Sequence, residues 1–351
     1  EISACLVGSE MCIRDRSNVP SIKRRLTVIQ TMFKLTAKIE IKGTGKKWEF
    51  DKVAEVEITR DTDTLTDTCV LKLPKKVRWQ NEERIPIKRG DEVTVWLGYD
   101  DELELAFRGF VTTIGLKTPI EIHCEDYMFQ LKQKEAKKLS YKSATVEQIL
   151  RDQELGVQFR VFGEQHIGQY RVTANTVTEL LGQLKDQGGI RSFFLIENDT
   201  PVLYCGVLFE REAACRQVFA TGVNLIDDTQ LDTQTAADVK IKVRAISLQP
   251  DNKRIRIDVG DADGEKRTLH TYNKTEQELK AWAEQELRRL KRDGLKGTFT
   301  TFGAVLIDKL DHIGIKIDGV RRGIYQVQKN VIKYGTGGFR QEITIGQKVA
   351  E

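Results

Sequence analysis

The sequence predicts a mainly β chain with α+β insertions: two small antiparallel β-barrel modules, related by a weak internal repeat and joined by a mixed α/β module. Three observations carry that expectation. Apolar and polar residues alternate with period two near both ends of the chain. Helix-capping boxes cluster in its middle and reappear once later. One short strand–hairpin–glycine pattern occurs twice.

The first module is expected over residues 33–126. Leu35, Ala37, Ile39 and Ile41 alternate with Lys34, Thr36, Lys38 and Glu40, which buries one strand face and wets the other. Ala54, Val56 and Ile58 repeat the alternation against Val53, Glu55 and Glu57. Thr68–Leu73 reads as a strand halted by Pro74. Glu92–Leu97, Leu103–Ile114 and Ile120–Cys124 follow, with Gly98, Gly109 and Gly115 marking turns or bends. So many short strands without an intervening helix suit a barrel or sandwich better than a βαβ unit.

Residues 127–210 change character. Thr145 with Gln148 and Thr176 with Glu179 are N-terminal capping signals. They precede helical stripes of Val146, Ile149 and Leu150, and of Val177, Leu180, Leu181 and Leu184. Gly188 stands where a C-terminal cap belongs. Gln158–Phe162, Phe193–Glu197 and Val202–Leu208 read as strands, so this is the mixed α/β module.

Residues 211–348 are expected to form the second barrel, with a long helix inserted at about 275–293. Val239, Ile241, Val243 and Ala245 alternate, then Ile255, Ile257 and Val259, and Asp261–Gly264 makes a turn. Thr275 and Glu278 open the helix, Leu279, Trp282, Ala283, Leu287 and Leu290 line one side, and Gly294 ends it. From Phe299 to Ile345 the pattern is β again.

The internal echo joins the two ends. Asp91, Val93 and Val95 lead through a hairpin to Arg108, Gly109 and Phe110. Asp311, Ile313 and Ile315 lead through a shorter one to Arg322, Gly323 and Ile324. Gly109 and Gly323 are expected at equivalent strand bends. Leu310 stands where the first copy has the bend residue Gly90, so the turn before the second strand is expected to differ. A chance likeness between two hairpins is the plainer alternative. A true duplication gives one chain two barrels, and three such chains would place six around one axis.

Residues 1–31 stand apart as a non-native leader. Cys5–Arg16 is what translation of a transposase sequencing adapter yields, so 1–16 reads as an artefact, and Met32 is the expected natural start. A protein beginning at Met32 should keep its melting temperature; a loss of several degrees would show that the leader packs on the fold. The formal charge of +4 includes +2 from this leader (Arg14, Arg16, Lys23, Arg24 and Arg25 against Glu1, Glu10 and Asp15). The near-neutral remainder argues against nucleic-acid binding. No apolar run is long enough for stable membrane insertion.

Signals for chemistry are weak. Beyond the leader, Cys69, Cys124, Cys205 and Cys215 are too scattered for a disulfide framework or zinc knuckle. His123, His166, His270 and His312 make no metal-binding spacing. Asp261, Asp263 and Gly264 resemble a calcium loop, but Val259 and His270 fall at ligand positions they cannot fill. Gly43–Lys46 and Gly335–Gly338 lack phosphate-loop spacing. No catalytic residue, cofactor or metal site is expected. The Arg60–Asp67 segment, with Asp61, Asp63 and Asp67, reads as a solvated loop. With the basic patch of Lys75, Lys76, Arg78 and Trp79 it is the candidate rim or intersubunit surface.

The first module resembles the N-terminal barrel of contractile-phage baseplate hub proteins, the late control protein D family, related to the hub part of type VI secretion spike proteins. The matching residues are Val70–Pro74, Lys88–Val93, Gly98-Tyr99, Phe107–Gly109 and Ile122–Asp126. Towards the C-terminus they are Gly297–Phe299, Gly303, Asp311–Ile313, Gly323–Val327 and Ile343–Gly346. The resemblance implies a non-enzymatic homotrimer whose two barrels per chain form a pseudo-sixfold ring. Its implied partners are a tail tube protein, a central spike protein and a baseplate or tape-measure-associated adaptor. Its implied place is the virion tail baseplate, assembled in the bacterial host cytoplasm. A cell-wall polysaccharide hydrolase, supported only by Asp/Glu pairs, and a carbohydrate-binding tail component are the alternatives.

Overall fold

The computed structural model describes residues 34–74, 85–115, 118–163, 165–207, 209, 215–236, 239–251, 253–291 and 293–350. The leader and the Lys75–Trp79 patch lie outside them. The chain is mainly β, as its alternation predicts.

Seven strands come first: β1 (Leu35–Gly43), β2 (Lys46–Phe50), β3 (Glu55–Asp61), β4 (Thr68–Lys72), β5 (Glu92–Tyr99), β6 (Glu102–Gly115) and β7 (Glu121–Glu125). All their pairings are antiparallel. The middle part holds α1 (Met128–Gln133), β8 (Ser140–Thr145), α2 (Val146–Asp152), β9 (Gln158–Phe162), β10 (His166–Arg171), α3 (Val177–Gly188), β11 (Arg191–Glu197) and β12 (Thr200–Gly206). Thr145 and Thr176 cap their helices by accepting from the N–H groups of Gln148 and Glu179. Gly189, left-handed at φ 69°, is the C-terminal cap of α3, one residue beyond Gly188.

The last part contains β13 (Cys215–Ala220), β14 (Leu225–Gln234), β15 (Ile241–Leu248), β16 (Arg254–Gly260), β17 (Glu265–Tyr272), α4 (Glu276–Leu290), β18 (Gly294–Phe302), β19 (His312–Ile317), β20 (Val320–Gly335) and β21 (Gly338–Ala350). Here the structure departs from the sequence reading. The insertion is larger than one helix. β15–β17 form their own three-stranded sheet, which packs on α4 through Val243, Ala245, Leu279 and Ala283. Thr275 and Glu278 make the expected reciprocal capping box.

The two expected barrels are likewise not separate, closed units. Thirteen strands form one continuous sheet, along the path β14-β18-β21-β20-β3-β4-β7-β6-β5-β1-β2, with β13 and β19 joined at the side through β20. The cause is the length of β20. Its first half pairs with β19, while Lys329–Gly335 pair with Glu55–Asp61 of β3. One strand thereby serves both ends of the chain. The apolar core follows suit: Ile332, Tyr334 and Phe339 pack with Ile39, Val56, Leu71 and Val95 of the first seven strands. No helix among the described residues is long and apolar enough to cross a membrane.

Candidate functional site: the segment that joins three cores

The segment between β18 and β19 ties the chain together. Leu306 packs into the core of the first seven strands, Ile307 into that of the last strands. Leu310 packs against Phe193, Tyr204 and Phe209 of the middle part. Three residues thus enter three different apolar clusters within one turn of chain. Side chains fasten the backbone between them. Ile307 O accepts from Asn330 Nδ2 at 2.7 Å and from Arg60 Nη1 at 3.2 Å, and Ile307 N donates to Gln341 Oε1 at 3.0 Å. Gln341 Nε2 in turn donates to the carbonyls of Phe302 and Val305.

Lys309 is the centre of this junction. Its side chain is fully buried, and Nζ donates to both carboxylate oxygens of Asp67, at 2.7 and 2.6 Å. Nζ also lies 4.8 Å from the ring centre of Phe193, within cation–π range. Asp67 in turn exchanges bonds with Asp126: Asp67 N donates to Asp126 Oδ2 at 3.0 Å, and Asp126 N donates to Asp67 O at 3.1 Å. Asp126 Oδ1 accepts from Met128 N, which fixes the start of α1. Burial, with the Asp67 charge second, pushes the Asp126 carboxyl up to about 7.

These contacts correct the reading of Arg60–Asp67 as a solvated rim. Arg60 and Asp67 are buried, and Arg60 lies 3.4 Å from Asp308 while donating to the carbonyl of Ala106. Asp63 is exposed, yet it bonds within the chain, to Arg191 at 3.2 Å and Gln328 at 2.8 Å. Asp61 accepts from Asp63 N and lies 3.9 Å from Lys329. The segment is an internal clasp between parts of one chain. Of its three carboxylates, Asp67 is buried against Lys309 and Asp63 is exposed. Among the described residues no cluster of three His, Cys, Asp or Glu could hold a metal.

The turn ahead of β19 duplicates the turn ahead of β5. In the first, Lys88 N donates to Asp91 Oδ2, Gly90 N to Val111 O, Asp91 N to Lys88 O and Val111 N to Asp91 O. In the second, Asp308 N donates to Asp311 Oδ2, Leu310 N to Val327 O, Asp311 N to Asp308 O and Val327 N to Asp311 O. The two sets match bond for bond. The turns therefore do not differ as expected from the Gly90/Leu310 exchange: both residues are left-handed, at φ 90° and 66°. A left-handed leucine costs about 1–2 kcal/mol, and burying its side chain returns about 1.5–3 kcal/mol.

The same register corrects the pairing of glycines. Val111 matches Val327, so Gly109 corresponds to Tyr325. Gly323 corresponds to Phe107, and each of these follows a bulge, at Ala106 and at Arg322. The two glycines serve different needs. A Cβ on Gly109 would meet Glu125 O at 2.1 Å, whereas Gly323 is held at φ 118°. Gly90 is simpler still, since nothing lies within 4 Å of its missing Cβ. Gly90→Ala should therefore cost the backbone penalty alone, about 1–2 kcal/mol, read as a lower urea midpoint with unchanged slope. No loss would show that the turn relaxes.

Among the described residues the exposed large apolar side chains are Val223, Ile226, Phe302 and Val320, all in the last part of the chain. Leu225 of β14 is paired with Thr301 of β18, so Ile226 and Phe302 sit at the same end of that sheet. The ends of the sheet path differ in charge. β14 carries Asp227, Asp228 and Asp232 with no basic residue, while β2 carries Lys46 and Lys47 together with Glu49, and Lys47 is paired with Glu40 and Glu49.

No family model and no curated protein matches this chain. Solved structures do. A tail protein from Neisseria meningitidis MC58 is similar with TM-score 0.61 and 13% identity, over 89% of this chain and 96% of that one. The 43 kDa tail protein of prophage MuSo2 from Shewanella oneidensis is similar with TM-score 0.57 and 16% identity, over 88% and 98%. An E. coli component of the type VI secretion system, described as structurally similar to T4 bacteriophage tail proteins, gives 0.53 and 13%, over 89% and 77%. The chain shares the fold of these tail and type VI secretion proteins.

Proposed function

We propose that this chain is a non-enzymatic hub subunit of a contractile tail baseplate, a homotrimer that adapts a sixfold tail tube to a threefold central spike. The observation that carries the reading is the likeness to tail proteins over almost the whole of both chains. The bond-for-bond duplication of the turns before β5 and β19 supports it, because two like modules per chain make six per trimer. Edge pairing of the acidic β14 with the lysine-bearing β2 of a neighbour would close such a ring and cover the two ends of that strand path. Ile226 of β14 and Val223 just before it would lie at or near the contact. The baseplate of the virion tail is the corresponding location.

The test is co-expression with a tail spike, followed by native mass measurement and imaging. A trimer with a pseudo-sixfold outline is expected, with interfaces above roughly 1,000 Å². Val223→Asp should weaken the trimer without lowering the melting temperature. A stable monomer that ignores both spike and tube protein would overturn the reading, as would peptidoglycan cleavage by the purified chain.

A further inference from the structure

The middle part and the inserted α/β unit meet at a seam with very close backbone approach. A Cβ on Gly168 would lie 2.4 Å from Pro250 O, one on Gly188 would lie 2.2 Å from Tyr272 Oη, and one on Gly189 would lie 2.8 Å from His270. Three glycines on one side thus receive three residues of the other. Tyr272 Oη also donates to Gly188 O at 3.1 Å, across the seam. A pocket of about 320 Å³ remains beside these contacts. It is open to solvent, and its walls come from both units.

The chemistry of the lining is one-sided. Tyr170, Arg171, Gln169 and Gln187 come from the middle part, and Arg254 and Tyr272 from the insertion. Among the described residues no carboxylate lines the pocket. Arg171 and Arg254 are exposed and have no ion pair among the described residues. Arg254 is close enough to His270 for its charge to add to burial in lowering that imidazole's pKa. Tyr170 is 8% exposed, and its hydroxyl is buried without any hydrogen-bond partner. An orphaned hydroxyl is costly unless something else satisfies it. β10 is irregular on both sides of Gly168, between His166 and Gly168 and again between Gly168 and Tyr170. Such bulges re-aim side chains.

We propose that this pocket binds a carboxylate, held by the guanidinium groups of Arg171 and Arg254 and by the hydroxyl of Tyr170. Arginine forks suit carboxylate oxygens, and the pocket volume suits an acidic side chain or a small free dicarboxylate. The site does not depend on the hub reading, because both of its walls belong to one chain.

Calorimetric titration of the full chain with terminally blocked tetraglutamate, succinate, inorganic phosphate and blocked tetraglutamine tests it. Tetraglutamate, succinate or both should bind at 1:1 stoichiometry, weaken with added salt, and outcompete tetraglutamine. Tetraglutamate alone identifies a peptide source; equal binding of succinate identifies a free dicarboxylate. Arg171→Gln/Arg254→Gln should weaken binding about tenfold or more. Tyr170→Phe should weaken it severalfold while leaving the melting temperature unchanged or higher. Tighter binding of phosphate than of either carboxylate would overturn the assignment. So would no binding at millimolar concentrations, or equal binding by a folded double-arginine variant.

Discussion

Lys309→Met should destabilise the chain by about 3–5 kcal/mol, the usual cost of removing one partner from a buried ion pair. The ammonium contacts both oxygens of Asp67, and the side chain is fully buried. Methionine matches the length of the lysine stem but leaves the carboxylate without its counter-charge. Asp67 would keep only weaker help, from Asp61 N at 3.3 Å and from the more distant charge of Arg60. A second substitution separates charge from packing. Lys309→Met/Asp67→Leu should recover most of the loss, since apolar replacements for a buried pair are often neutral. The coupling between the two sites, read from a double-mutant cycle in urea, should exceed about 1 kcal/mol. Additive losses would show that the pair contributes nothing beyond volume.

Strands and caps were legible in the sequence because their causes are local. Alternation at Leu35–Ile41 and the Thr275/Glu278 box need only neighbours along the chain, and both formed. The Asp91 and Asp311 turns were legible as an echo, since each aspartate caps its own turn. The register within the echo was not. Gly109 and Gly323 look alike in sequence, but bulges and bonds to Val111 and Val327 set the alignment two residues away. The clasp at Arg60–Asp67 was misread for a related reason. Aspartates among threonines suit a wet loop, and Lys309, which converts Asp67 to a buried partner, lies 242 residues later. One signal was available: a lysine flanked by Leu306, Ile307 and Leu310 is an unusual place for a cation that stays in water. The continuous sheet was hidden similarly, because nothing local in Val320–Gly335 distinguishes a hairpin strand from one that also pairs with β3.

The same junction should make stability fall as pH rises from about 4 to about 7. Asp126 is raised to about 7 in the folded chain, first by burial and then by the charge of Asp67. Lys309 and the amides of Asp67 and Met128 oppose the shift without cancelling it. In the unfolded chain the carboxyl returns to its ordinary value of 3.8. Between those values the folded state holds a proton that the unfolded state has lost. The stabilisation is therefore fully present below the unfolded value and is lost as pH rises through the folded one, by at most about 1.4 kcal/mol per pH unit. Asp67 is raised as well, again by burial first, and acts in the same direction. His270 acts oppositely: burial and Arg254 lower it, so its contribution is lost as pH falls below the ordinary histidine value. Carboxylates lowered by partners, Asp258 to about 2 by its bond from Arg244 and Glu40 by its bond from Lys47, lose their contribution only nearer the acid end. The clean measurement is thus a difference. Urea unfolding at pH 5, 6, 7 and 8 should give a steeper decline for the parent than for Asp126→Asn, whose amide cannot titrate. Asp126→Asn should cost stability at pH 5, where the parent carries the favourable proton, and less at pH 8. Parallel curves would show that Asp126 is ionised throughout, held so by its two backbone amides and the Lys309 charge.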